Sequence, residues 1–271
     1  MAAAVRTGVS RTAGALRAFV ADIGDMGILT GRTLISAVRP PYTYGNEFVY
    51  QFLFALRVCW FPMIVASIAF TYGPAGVQAA GFLNLFGALD RLGGLFILVV
   101  VREFAPLVCA LVMAGVAGTA MCADLGARKI REELDALQVL GIDPIKNLVV
   151  PRFLALMLAT GLFNVYAIIF GTFGGVLVTL TNKAPLGPFF ATYFSNATTT
   201  ELWGSVLKTF IFGGVIAIVC CYKGLTAKGG SEGVGRAVNQ AVVVAFIGIG
   251  AVNYVFTQTL LATHPELSAV R

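Results

Sequence analysis

One histidine, thirteen acidic side chains and a charged fraction of 12% are little for a chain of 271 residues, and each shortage closes off a class of function. His264 stands alone near the carboxyl terminus, so no histidine-based transition-metal set can form and a nucleophile in the apolar segments lacks its usual base. The five cysteines, Cys59, Cys109, Cys122, Cys220 and Cys221, are odd in number and lie in or beside apolar runs. They read as small hydrophobes rather than as a disulfide framework. No G-x-x-x-x-G-K-[ST] phosphate loop occurs, and Gly229–Gly235 lacks the lysine and hydroxyl that would follow its second glycine, so nucleotide hydrolysis is not expected of this chain. Met1–Val20 has basic residues but no continuous apolar core with a small-residue cleavage site. No removable signal peptide is expected, and the first span doubles as the insertion signal. An internal repeat of the kind that builds many secondary transporters is also missing.

What the chain has in abundance is apolar length. Hydrophobic residues make up 58% of it, mean hydropathy is +0.86, and runs long enough to cross a bilayer recur. The expected fold is an all-α membrane protein, one domain over residues 1–271 with interfacial helices over 1–45, a transmembrane region over 46–263 and a cytoplasmic segment over 124–148. Five spans are expected at about Phe48–Tyr72, Leu92–Met121, Phe153–Leu180, Leu202–Tyr222 and Ala237–Ala262. Gly73-Pro74 should close the first, and Pro62 should kink it. The second would run to roughly 45 Å against a hydrocarbon thickness of roughly 30 Å, with Pro106 marking an irregularity. Ahead of the spans, Val9, Leu16, Phe19, Val20 and Ile23, then Ile28, Leu29, Leu34, Ile35 and Val38, alternate with arginines. That pattern predicts two interfacial helices, broken at Gly24 and Gly27 and ended by Pro40-Pro41. Small-residue spacings such as Gly171 with Gly174 and Gly175, Gly213 with Gly214, and Gly248 with Gly250 predict close helix contact.

Charge sets the expected orientation. With the amino terminus inside, all but Arg91, Arg102, Lys183, Lys208 and Arg271 of the nineteen lysines and arginines fall on the cytoplasmic side, as the positive-inside rule prefers. The carboxyl terminus then lies outside. The net charge of +6 is spread over short membrane-flanking segments, which topology explains better than nucleic acid does.

Two groups of charged residues stand out. Between the second and third spans, Ile130, Leu134, Leu137, Val139 and Leu140 form an apolar stripe, with Arg128, Arg131, Glu132 and Asp135 as polar surface. This predicts a cytoplasmic interfacial helix terminated by Gly141-Ile142-Asp143-Pro144. Charge pattern alone suits a plain solvated helix, and Glu132, Glu133 and Asp135 have no nearby His or Cys to complete a metal set. Within the second span, Arg102 and Glu103 stand where an unpaired charge costs about 2.5–3.5 kcal/mol on insertion scales. They either pair with another span to hold the packing or serve a substrate. Lys208 snorkels or pairs with an acid; Tyr72 and Phe104 line an apolar cavity or pack; Asn164, Asn253 and Gln258 bridge helices by hydrogen bonds.

The order of residues narrows these readings. Arg102-Glu103-Phe104-Ala105-Pro106, then Ala114-Gly115-Val116-Ala117-Gly118, Asp124-Leu125-Gly126, Glu132-Glu133-Leu134-Asp135-Ala136-Leu137-Gln138-Val139-Leu140-Gly141-Ile142-Asp143-Pro144 and Pro151-Arg152 together resemble the MlaE/YrbE permeases of ABC-type lipid transporters, which work with MCE proteins. The similarity runs from the first span through the fifth, including Gly229–Gly235, and is greatest to the A-type YrbE subunits of actinobacterial Mce systems. Val116 stands where the MlaE branch commonly has arginine, and Asp124 where many members have glutamate. The first departure is compatible with specialised A and B subunits.

That resemblance implies a non-catalytic subunit in the bacterial plasma membrane, holding no cofactor itself, with ATP and Mg bound by a cytoplasmic ABC ATPase dimer. It implies a second, B-type permease as partner, MCE proteins on the outer side, a membrane lipid as cargo (a fatty acid, sterol or related lipid, moved inward) and no nucleic acid. Arg128, Arg131, Glu132, Glu133, Asp135, Ala136 and Leu137 would couple to the ATPase, while Tyr72, Arg102, Glu103, Phe104 and Pro106 would lie on the lipid pathway. Rival readings are an ion-coupled secondary transporter or channel, for which Arg102, Glu103 and Lys208 are a sparse set, and an intramembrane enzyme, for which no nucleophile or metal site is visible.

Overall fold

Backbone amides in hydrocarbon have no water to bond, so apolar runs of this length fold as helices that satisfy themselves. The computed structural model describes residues 2–265, with side chains described from Val20 onward. Eight helices account for nearly all of it, with no strand among the described residues: α1 (Ala2–Val38), α2 (Gly45–Leu85), α3 (Leu89–Ile130), α4 (Glu133–Val139), α5 (Ile145–Thr181), α6 (Leu186–Asn196), α7 (Thr199–Leu225) and α8 (Gly230–Thr263). Five of them, α2, α3, α5, α7 and α8, are long and apolar enough to cross a membrane. The chain is therefore a multi-pass membrane protein, with α4 at one end of the bundle and α6 at the other.

α5 is the centre of the packing, lying against both α2 and α7, while α8 packs on α7 and on the last part of α3. Close crossings depend on glycine: a Cβ at Gly213 would stand 2.6 Å from the Leu156 carbonyl oxygen, and one at Gly174 would stand 2.2 Å from the Thr71 hydroxyl. α7 is the most enclosed span, 67% buried in its most apolar window, whereas those of α2 and α8 are 22% and 17% buried. The two outer helices thus turn apolar faces away from the bundle. All five cysteines are buried and free.

Several elements differ from expectation. α1 is one continuous helix through Gly24 and Gly27; glycine in a helix costs only about 1 kcal/mol, which packing readily overrides. The expected positions Val9, Leu16, Phe19, Arg6, Arg11, Arg17 and Arg271 lie outside the described side chains. Gly73-Pro74 does not close the first span. A π-type turn over Thr71–Val77 absorbs Pro74, and the helix continues to Leu85. The expected irregularity in the second span is real, a π turn over Ile97–Phe104 immediately before Pro106. α6 went unforeseen. The expected helix around Arg128–Leu140 is two pieces, because α3 runs to Ile130 and Glu132 takes a left-handed conformation, φ 59°, before α4 begins. The stripe predicted along it divides too: Leu134 is buried, but Val139 and Leu140 are 88% and 74% exposed.

Candidate functional site

The apolar bundle holds a polar cluster where α3, α7 and α8 meet. The π turn of α3 presents Arg102 and Glu103, and α7 brings Glu201, Ser205 and Lys208 along one face at helical spacing. The Arg102 guanidinium pairs with the Glu201 carboxylate. Lys208 Nζ lies 3.4 Å from Glu103 Oε1. α8 adds Asn253, whose Nδ2 donates to Glu103 Oε2 at 2.8 Å, and Thr257, whose hydroxyl donates to Oε1 at 2.8 Å. Acids and bases thus balance within the membrane, as buried charge requires. Glu201 and Lys208 are almost fully enclosed, whereas the Glu103 side chain keeps 28% of its surface open, making it the most accessible of the four charges.

Other residues expected on this pathway divide. Phe104 is half-buried beside Glu103, and buried Pro106 begins the helix after the π turn. Tyr72 lies apart from this polar cluster, packed against an apolar one that includes Phe96, Ile97, Val100 and Phe189 toward α6. Lys208 pairs with an acid, one of its two expected uses. Asn253 bridges helices through Glu103, and Asn164 does so through Ser205. Glu201 and Ser205 were missed, although the i, i+4, i+7 spacing of Glu201, Ser205 and Lys208 was available to find them.

At the opposite end α4 projects from the bundle. Leu134 anchors it, while Glu132, Asp135, Ala136, Val139 and Leu140 are exposed and Glu133 and Leu137 are half-buried. Arg131 pairs with Glu133 at 2.7 Å and Lys129 with Asp135 at 3.0 Å. Gly141, φ 76°, ends the helix in a Schellman arrangement: its N–H bonds to the Gln138 carbonyl at 3.0 Å, and that of Ile142 to Leu137 at 2.9 Å. Beside α4 lies a cleft of about 550 Å³ lined by Arg32, Lys129, Leu134, Asp135 and Asp143 among others.

The bases of α3 and α5, which flank α4, are tied together. Arg152 is fully buried, bonds to Asp124 at 2.5 Å and to the Leu148 carbonyl at 2.9 Å, and lies 3.5 Å from Glu47 at the start of α2. Arg128 bonds back to Asp124 at 3.2 Å, i to i+4. In the sequence Arg152 stood as the end of a motif and as one of the cytoplasmic basic residues that set the orientation. Near the same end, α1 is held by Asp22, which pairs with Lys223 at 2.5 Å and accepts from the Tyr222 hydroxyl at 3.1 Å. The hydrogen bond from Lys223 holds the Asp22 carboxyl below its ordinary value of 3.8, against a smaller opposing effect of burial.

Comparison with known proteins agrees with this architecture. The family described as Permease MlaE matches residues 48–259. A probable ABC transporter permease of Synechocystis sp. is 35% identical over 181 residues, 66% of this chain and 68% of that protein. One from Rickettsia typhi is 28% identical over 243 residues, 89% and 93% of the two chains. The intermembrane phospholipid transport system permease protein MlaE of Haemophilus influenzae is 28% identical over 184 residues, 67% and 70%.

Proposed function

The chain belongs to the MlaE permease family, and on that premise we propose that it is the membrane subunit of an ATP-driven lipid transporter, coupling a lipid pathway to a separate ATPase. The observation that carries this reading is the separation of its two charged regions. One is enclosed among α3, α7 and α8, with Glu103 partly open; the other is α4, projecting from the bundle with exposed Glu132, Asp135, Val139 and Leu140. A short helix wedged between two spans, with acids and two apolar side chains facing outward, suits a groove on a soluble partner. Movement of α4 must tilt α3 and α5, whose ends Asp124 and Arg152 join.

In this reading ATP and Mg are held by a cytoplasmic ATPase dimer, docked on Arg128, Arg131, Glu132, Glu133, Asp135, Ala136 and Leu137. The amino terminus and α4 lie on the cytoplasmic side of the bacterial plasma membrane, the carboxyl terminus and α6 on the outer side, where MCE proteins dock. The weakly buried α2 and α8 support a second permease of the same family completing the pathway, a B-type paralogue if this chain is an A-type subunit. Glu103, Arg102 and Phe104 face a lipid there, with buried Pro106 setting the turn that carries them, and the cargo is moved inward. Tyr72, packed in the cluster toward α6, lines its outer mouth.

Reconstitution of the assembled complex tests the proposal. A Glu132→Lys/Glu133→Lys/Asp135→Lys variant should assemble in the membrane yet lose lipid-stimulated ATPase activity and transport. Full retention of both would overturn coupling through α4. A photocrosslinker at position 104 should capture lipid; capture only at other positions would relocate the pathway.

A further inference from the structure

We infer that Ser205 and Lys208 are positioning residues that hold the π turn of α3 and so aim Arg102 and Glu103. Pro106 creates the need for them. Proline has no N–H, so it cannot donate to the carbonyl four residues earlier, as an α-helix requires, or five residues earlier, as a π turn requires. Those carbonyls belong to Arg102 and Val101. The next donor back is spoken for as well, since the Ala105 N–H bonds to the Val100 carbonyl, five residues before it.

A carbonyl left bare in hydrocarbon is costly; that of Val101 has lost both its helical donors and needs one from elsewhere, and that of Arg102 has lost its α-helical one. α7 supplies both. The Ser205 hydroxyl donates to the Val101 carbonyl at 2.8 Å, and Lys208 Nζ donates to the Arg102 carbonyl at 2.5 Å. Both side chains are buried, 2% exposed, and lie three residues apart on one face of α7. The amide of Asn164 on α5 donates in turn to the Ser205 oxygen at 2.8 Å, fixing the direction of its hydroxyl.

The consequence is angular. Each helical residue turns about 100°, so slipping one residue out of the wide turn would swing Arg102 off Glu201 and Glu103 off Asn253 and Thr257. Lys208 therefore has two tasks, a charge for Glu103 and a donor for the backbone that carries it. Ser205 has only the second. The inference rests on the proposed role of Arg102 and Glu103 in the lipid pathway, but the register itself can be measured without lipid.

The experiment uses the assembled complex in nanodiscs, with the helix over 97–104 resolved by cryo-electron microscopy and lipid capture measured from a photocrosslinker at position 104. Ser205→Ala, which leaves every charge in place, should loosen or erase the π turn and lower capture at least fivefold. Ser205→Thr, which keeps the hydroxyl, should restore both. Lys208→Met with Ser205→Ala should shift the register fully. An intact π turn in that double variant, with Arg102 still on Glu201, would overturn the inference. If the double variant fails to assemble, the same reading of Ser205→Ala against Ser205→Thr decides. A lost π turn with unchanged lipid capture would leave the positioning role standing and instead remove Arg102 and Glu103 from the lipid pathway.

Discussion

The Asp124 carboxylate, near the end of α3, lies 2.5 Å from the guanidinium of Arg152 at the start of α5, and Arg152 has no exposed side-chain surface. The two residues bracket α4 without belonging to it. Any force on α4 reaches the spans through helices that this pair keeps in step, while the 3.5 Å approach of Arg152 to Glu47 extends the tie to α2. The arrangement makes the base of the bundle stiff and leaves α4 as the part that projects.

Arg152→Met should therefore be costly out of proportion to its distance from any proposed ligand. It removes the hydrogen bonds to Asp124 and to the Leu148 carbonyl, each a bond from a charged donor worth about 1.5–3 kcal/mol. Arg152→Lys keeps the charge but loses the fork that reaches both acceptors, so it should recover only part of the loss. Thermal unfolding of the purified complex in detergent, compared with wild type, measures both. Equal midpoints for wild type and Arg152→Met would show that the clamp contributes nothing.

Docking of α1 should depend on pH, with a sign fixed by Asp22. Its folded-state value is lowered from 3.8, first by the hydrogen bond from Lys223. A depressed carboxylate contributes stability that is present above its unfolded value and lost as pH falls through the folded one. Asp25, the other acid facing the Tyr222 hydroxyl, lies 3.3 Å from it. α1 should stay docked from neutral pH down to about 4 and release below that, while Asp22→Asn should dock weakly at every pH. Labelling of a Met26→Cys variant, on the buried face of α1 itself, follows the release; no increase below pH 4 would count against the latch.

Glu132 offers a test of conformation apart from charge. Its φ of 59° puts a side chain where glycine is at ease and most residues lose about 1–2 kcal/mol. Glu132→Gly should leave stability unchanged or slightly raised, whereas Glu132→Val should lower it by about 1 kcal/mol or more. If the carboxylate serves the ATPase, both variants lose coupling to the same degree. If only the break between α3 and α4 matters, Glu132→Gly keeps full lipid-stimulated ATPase activity.

Much of this molecule could be read from its residues, and the failures have physical causes. Five spans follow from apolar length alone, and Pro106 announced the irregular turn. Gly73-Pro74 misled because a π turn can absorb a proline when neighbouring helices support it, as Gly174 does by letting α5 approach Thr71. α6 was missed because its eleven residues are too few to span and too apolar to look like a loop. Glu201 fell just outside the expected fourth span and so was not counted as an intramembrane charge. Arg152 is the deepest failure: a basic residue beside a span reads as a topology signal, and only packing reveals that it is wholly enclosed.

The Arg102–Glu201 pair allows packing and lipid recognition to be separated. Both side chains are largely buried, at 11% and 3% exposure, so removing Arg102 takes the charge partner from an enclosed Glu201 carboxylate. Arg102→Met alone should cost about 3–5 kcal/mol, whereas the double variant with Glu201→Met, which removes both charges of the pair, should recover most of that loss. Recovery of stability says nothing about transport, which is the value of the cycle. If the pair only holds α3 against α7, the stable double variant transports lipid at near the wild-type rate. If Arg102 also meets the lipid headgroup, the double variant folds and assembles, yet its lipid capture at position 104 and its transport stay as low as those of Arg102→Met. Unfolding midpoints and transport by the same four reconstituted proteins decide between these outcomes.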